Sequence, residues 1–260
     1  MNYIKQLDSV RAIAVILVII EHWIPKASLG QRIPYGELGV DMFFVLSGFL
    51  ISGILLQNKD SVENGQRTMT SVLKSFYIRR SLRIFPIYYL VIFAALYFSA
   101  YTQTRVQIAF PWYATYTANW FMFYHGWDGI MSHLWSLAVE EQFYIIWPWL
   151  LLFVRKKWLP WLIAAFILTG TISNYLVAHR PLGTVLTFTC FDAFGLGALL
   201  AWLYQSGKDR IKKFHPYFSV AALVSFVIVL ISIWRFKHDI TTSYFILING
   251  PLVILLHYML

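Results

Sequence analysis

Apolar residues recur along this chain in stretches of about twenty, separated by short polar or basic connectors, and the pattern continues to the last residue. A helix rising 1.5 Å per residue needs roughly 20 residues to cross a hydrocarbon core of about 30 Å. On that measure spans are predicted near residues 10–26, 38–56, 84–101, 134–154, 158–178, 184–204, 216–234 and 244–260. Strand-like alternation is scarce, so these are helices and not the staves of a barrel. The expected fold is all-α: a polytopic transmembrane helical bundle of about eight spans, one domain over residues 1–260. The chain stops at Leu260 inside an apolar run with no polar flank, so a C-terminal truncation is expected.

The segment 108–124 (IAFPWYATYTANWFMFY) is apolar enough to be a ninth span, but Pro111, Asn119 and its crowded Tyr and Trp fit a re-entrant or interfacial segment. Charge decides between the two. If the segment does not cross and the N-terminus is cytoplasmic, Lys5, Arg11 and the connectors within 57–83, 155–157 and 208–213 place 15 of the 21 Lys and Arg inside. If it crosses, the split becomes 11 to 10. The positive-inside bias therefore selects eight spans with both termini in the cytoplasm. The longest polar connector, 57–75, reads as a loop from its Asn, Lys, Asp, Gly and Arg.

Composition agrees: 59% of residues are hydrophobic, 18% aromatic and 13% charged, against about 25% charged in soluble domains. The net charge of +9 is dispersed over connectors, which points to lipid headgroups or an anionic soluble ligand and away from nucleic acid. Cys190 stands alone, so no internal disulfide forms. The first span imitates a signal peptide, but Glu21 and His22 adjoin its apolar run and more spans follow, so it is expected to be retained.

Ionisable residues within spans are costly and usually face a protein interior or a wet cavity. Arg11 and His22 are eleven residues apart in RAIAVILVIIEHW. That spacing is about 16 Å of rise and three turns plus roughly 20°, so both lie on one helix face. An imidazole there can exchange a proton near neutral pH, while a snorkelling arginine and a hydrogen-bonded structural histidine are the plainer alternative. In HLWSLAVEEQFYIIWPWL, His133, Ser136, Glu140, Tyr144 and Trp147 share a stripe, which makes Glu140 the inward carboxylate and leaves Glu141 at its border in a structural role. In YIRRSLRIFPIYY, the basic start of the third span, Arg79 and Arg83 share a face beside Arg80. They suit a phosphate clamp or ordinary cytoplasmic anchoring.

GELGVDMFFVLSGFLISG puts Asp41 at the outer entrance of the second span, followed by Ser47, Gly48, Ser52 and Gly53, a small-residue face that permits close helix approach. TCFDAFGLGALLA repeats the theme with Asp192, Gly195 and Gly197. No phosphate loop, HExxH zinc pattern or nucleophile elbow is present, so no metal or tightly bound cofactor is expected.

Taken in order, LDSVRAIAVILVIIEHW, GELGVDMFFVLSGFLISG, FYIRRSLRIFPIYYL and HLWSLAVEEQFYIIWP resemble the membrane-bound acyltransferase 3 family over roughly residues 5–150, and FDAFGLGALLA extends the likeness to about 205. The resemblance implies transfer of an acyl group, commonly acetyl, from cytoplasmic acyl-CoA as co-substrate to a hydroxyl of a cell-envelope carbohydrate or lipid-linked glycan at a bacterial inner membrane. It places the family's first-helix arginine and histidine on Arg11 and His22, its arginine cluster on Arg79, Arg80 and Arg83, and its WSL-to-EExFY element on Trp135 to Leu137 and Glu140 to Tyr144. In that scheme Arg11 and the third-span arginines hold the CoA phosphates. His22, oriented by Glu140, deprotonates the sugar hydroxyl or carries the acyl group itself. Asp41, Ser47, Ser136 and Tyr144 are further substrate-binding candidates. The family usually has about ten spans, two more than are found here. A transporter or channel would use the same intramembrane Arg, His and Glu, although two halves with matching broken helices are not seen.

Overall fold

The computed structural model describes residues 5–23, 35–102, 104–177 and 179–207, with isolated positions between 213 and 227. Among the described residues there is no strand. In chain order the helices are α1 (Lys5–Trp23), α2 (Tyr35–Glu63), α3 (Met69–Tyr97), the single turn α4 (Ser99–Thr102), α5 (Val106–Ala114), α6 (Ala118–His125), α7 (Leu134–Phe153), α8 (Leu159–Val177) and α9 (Phe191–Gln205).

Among the described residues four helical stretches are both long and apolar enough to cross a membrane: Tyr35–Glu63, Met69–Tyr97, Lys156–Val177 and Thr187–Gln205. Two further predicted spans coincide with α1 and α7, of 19 and 20 residues, whose charged residues lower their hydropathy. In α7 the cause is the run Glu140, Glu141, Gln142. The predicted spans at 216–234 and 244–260 lie outside the continuously described residues. Residues 108–124 form α5 and α6, nine and eight residues long, each about 13 Å and too short to cross alone. Large apolar side chains of α3 and α8, among them Leu82, Ile87, Leu90, Trp161, Leu168 and Ile172, stand exposed, as lipid-facing helices require.

Two expectations are corrected. The connector 57–75 is not a loop: α2 runs to Glu63, and α3 begins at Met69, where the Thr68 hydroxyl caps it by accepting from the Ser71 amide at 3.2 Å. The arginine cluster therefore sits three turns inside α3 and not at its start.

The chain packs as two units, the first drawn from the described residues of 1–54, 160–171 and 191–260, the second from 55–159 and 172–190. In the first, α1 turns Leu7, Val10 and Ala14 inward, and Ala14, Leu17 and Val18 surround Gly39 of α2. Farther along α2, Gly48 lies directly on the Phe194 backbone of α9, and Gly197 on the Val45 carbonyl. A Cβ at either position would collide with main chain that cannot move aside. This is the close approach that the small-residue pattern predicts.

The second unit has an aromatic core in which Tyr88, Ile92, Tyr113, Tyr116, Phe121, Met122 and Ala138 are buried together. The Tyr88 and Tyr89 hydroxyls of α3 donate to the Tyr113 and Ala114 carbonyls of α5 at 2.8 and 2.9 Å. The chain then breaks between α5 and α6, where the Thr115 and Thr117 hydroxyls donate to the Pro111 and Trp112 carbonyls at 2.7 and 3.2 Å. Hydroxyls that bond nearby carbonyls in this way compete with the helical ladder. The far end of α7 is held by Lys59, only 4% exposed, whose Nζ donates to the carbonyls of Leu151, Leu152 and Val154 at 3.0, 2.7 and 2.6 Å. A helix C-terminus carries orphan carbonyls and partial negative charge, and a buried ammonium answers both.

Candidate functional site

The candidate residues divide between the two units. On α1, Arg11 and His22 lie about 60° and 80° around the helix from Ala14, on the same flank of the face turned to α2. Arg11 Nη1 pairs with Asp8 Oδ1 at 2.8 Å, both side chains partly exposed. His22 Nδ1 lies 2.7 Å from the Val18 carbonyl. A carbonyl only accepts, so Nδ1 carries the proton and a neutral ring presents its basic lone pair at Nε2. Both residues thus have partners on their own helix, one turn away. Glu21, next to His22 in sequence, accepts from the Gly36 amide of α2 at 3.4 Å. A carboxylate at a helix N-terminus is favourable, which accounts for the charge of Glu21 at the end of an apolar run.

Two other candidates lie on α2 of the same unit. Asp41 and Ser47 are both half-buried. The Asp41 carboxylate lies within electrostatic range of Glu37 and of Asp192, and Asp192, buried at the start of α9, accepts from the Ala193 amide at 2.8 Å.

In the second unit α3 and α7 bring another set together. The Arg80 guanidinium lies 4.7 Å from the centre of the Tyr144 ring, in cation–π geometry. Next to it the Tyr77 hydroxyl donates to the Ile145 carbonyl at 3.0 Å, fixing the register of the two helices. Arg79 and Arg83 remain exposed, so the arginine that α3 turns toward α7 is Arg80. Ser136, in the first turn of α7, donates to the His133 carbonyl at 3.2 Å.

The carboxylates of α7 differ from expectation. Glu141 is 6% exposed and Glu140 is half-buried, so the more deeply placed group is Glu141. The stripe drawn through the polar residues assumed one packed face, whereas α7 packs against α6, against the turns Gly183–Val185 and Thr187–Cys190, and against α3. Burial consequently extends around more of its circumference. Glu141 lies within electrostatic range of Glu140 and Arg80. Tyr88 and Tyr116 feel its charge in turn.

Beside Glu141 the interior holds a closed polar ring. Asn119 Nδ2 donates to Thr187 Oγ1 at 3.0 Å, the Thr187 hydroxyl donates to Gln142 Oε1, and Gln142 Nε2 donates to Asn119 Oδ1 at 2.9 Å. Gln142 also donates to the Tyr116 carbonyl at 2.7 Å. Tyr116 adopts φ +55°, a left-handed conformation rare for an aromatic residue, and its ring stacks on Tyr88 with centroids 4.1 Å apart. Sequence reasoning missed both Tyr116 and Tyr88. The spacing of Arg80, Ile84 and Tyr88 would have placed Tyr88 on the face of Arg80, but no local signal announces a left-handed tyrosine.

Among the described residues no cluster of His, Cys, Asp and Glu has metal-ligand geometry. The chemistry on offer is proton transfer, hydrogen bonding and anion binding by imidazole, carboxylate, phenol and guanidinium. These features define a helical membrane protein that carries ionisable groups on span-length helices. The family described as an acyltransferase domain matches residues 4–260, and the chain belongs to it. It is 37% identical over 169 residues to the peptidoglycan O-acetyltransferase OatA of Listeria monocytogenes serovar 1/2a, a match covering 60% of this chain and 25% of that protein. It is 37% identical over 175 residues to a putative O-acetyltransferase of Staphylococcus aureus strain COL, covering 61% and 27%. It is 36% identical over 159 residues to the putative peptidoglycan O-acetyltransferase YrhL of Bacillus subtilis strain 168, covering 56% and 23%. The chain thus matches about a quarter of the length of each relative. No solved structure matches it.

Proposed function

We propose that this chain is the membrane-embedded part of an O-acyltransferase that moves an acetyl group from cytoplasmic acetyl-CoA to a hydroxyl of a cell-wall glycan, with both of its termini on the cytoplasmic side of a bacterial inner membrane. The family match over residues 4–260 carries the reading, and the named activity of the relatives supports peptidoglycan as the acceptor. The anchored ring of His22 supports its role: with Nδ1 committed to the Val18 carbonyl, Nε2 is the atom that takes the acceptor proton or forms a transient acyl bond. Arg11 and the α3 arginines Arg79, Arg80 and Arg83 bind the phosphates of the donor. Glu140 supplies a carboxylate that holds the proton in transit. Asp41, Ser47, Ser136 and Tyr144 contact substrate.

Membranes containing the protein, incubated with labelled acetyl-CoA, test the reading. Label is expected in the glycan fraction, and its absence there with the protein intact would overturn the assignment.

A further inference from the structure

Among the described residues, two buried side-chain atoms have no hydrogen-bond partner: Glu141 Oε1 and the Tyr116 hydroxyl. Both residues are 6% exposed, and they lie within electrostatic range of each other. Their surroundings are otherwise well supplied. The Tyr88, Tyr89 and Tyr113 hydroxyls donate to Tyr113 O, Ala114 O and Asp128 Oδ2 at 2.8, 2.9 and 2.7 Å, and the ring of Asn119, Thr187 and Gln142 closes on itself. Buried polar groups are almost always hydrogen-bonded, so two adjacent exceptions in a satisfied neighbourhood need a cause.

The two groups are also held in place. Tyr116 keeps its left-handed backbone because Tyr88, Phe85 and Tyr89 pack its ring at 4.1, 5.4 and 6.1 Å, and because its carbonyl accepts from Gln142, the residue after Glu141. A conformation this uncommon persists only where the surroundings fix it, and such residues cluster at functional sites. Charge narrows the guest. The carboxylates of Glu140 and Glu141 disfavour an anion, and the nearby Arg80 offsets part of their pull on a cation.

We propose that Glu141 and the Tyr116 hydroxyl bind one neutral substrate group that both donates and accepts a hydrogen bond, a hydroxyl or a secondary amide. The carboxylate oxygen accepts from the guest and the phenol donates to it. The identity of the guest rests on the acyltransferase reading, which offers two sources: a hydroxyl of the acceptor glycan, or an amide in the pantetheine arm of the donor. The site binds and orients; no bond is made or broken at it.

Tyr116→Phe deletes one oxygen and leaves the ring stack intact, and Glu141→Gln replaces the accepting carboxylate. In the full-length protein in membranes, with acetyl-CoA as donor and the disaccharide chitobiose as acceptor, each variant is expected to raise one KM about ten-fold. The double variant is expected to be no worse than the poorer single, because both residues serve one guest. A raised chitobiose KM assigns the guest to the acceptor glycan; a raised acetyl-CoA KM assigns it to the donor. Both KM values unchanged in Tyr116→Phe, or a change confined to kcat, overturns the site. If Glu141→Gln does not accumulate, Tyr116→Phe decides alone. Equilibrium binding of labelled acetyl-CoA and labelled chitobiose separates this proposal from the activity: a protein that binds either in a Tyr116-dependent way yet transfers nothing keeps the site and loses the acyltransferase reading.

Discussion

The two units hold their polar groups by different means. On α1, Arg11 and His22 are partnered within their own helix, to Asp8 three residues away and to the Val18 carbonyl four residues away. In the second unit the polar side chains Lys59, Asn119 and Gln142 have partners distant in sequence: Lys59 reaches the carbonyls at 151, 152 and 154, Asn119 reaches Thr187, and Gln142 reaches back to Tyr116. A bond made within one helix places a side chain without tying the fold to it. A bond across the fold does the opposite, since removing either partner strands a buried group. Lys59, Asn119, Gln142 and Thr187 of the second unit are therefore principally scaffold, whereas Arg11 and His22 are placed by their own helix. The first unit takes its cohesion from close contact, with α2 and α9 touching through Gly48 and Gly197.

This contrast can be broken or sharpened by substitution, starting with the largest effect. Gly48→Leu drives a side chain into the Phe194 backbone and is expected to cost about 3 kcal/mol or more, read as loss of folded protein in detergent. Lys59→Met keeps the bulk of the stem but strands three carbonyls; a loss of about 3 kcal/mol is expected from the thermal midpoint. Gln142→Leu opens the polar ring and is expected to cost about 2 kcal/mol by the same measurement. Asp8→Asn removes only a half-exposed ion pair. It should change stability by less than about 0.5 kcal/mol and salt sensitivity hardly at all. If Asp8→Asn proved as harmful as Gln142→Leu, the distinction between locally and distantly held groups would fail.

Much of the fold is legible in the sequence because hydrocarbon imposes a length. Runs of apolar residues locate α1, α2, α7, α8 and α9, and crowded aromatics with Pro111 mark 108–124 as unlike the rest. The ends of α2 and α3 escape because they depend on tertiary contacts: Lys59 lies in a polar run of loop-like composition, yet it caps a helix 92 residues away in sequence. Helical spacing puts Arg11 and His22 on one face of α1 once that helix forms, since this depends on one helix alone. It misjudges Glu140 against Glu141, since which face is buried depends on what packs around α7. Tyr116 is harder still, because its conformation is imposed by Tyr88 and Gln142 from other helices.

His22→Asn probes the central claim most directly. The amide can still donate to the Val18 carbonyl as Nδ1 does, but it has no basic nitrogen to offer. Labelled acetyl transfer to the glycan fraction, measured together with the thermal midpoint, is expected to fall by at least about a hundred-fold while the midpoint stays where it was. Transfer at the wild-type rate from a stable His22→Asn protein would contradict the account.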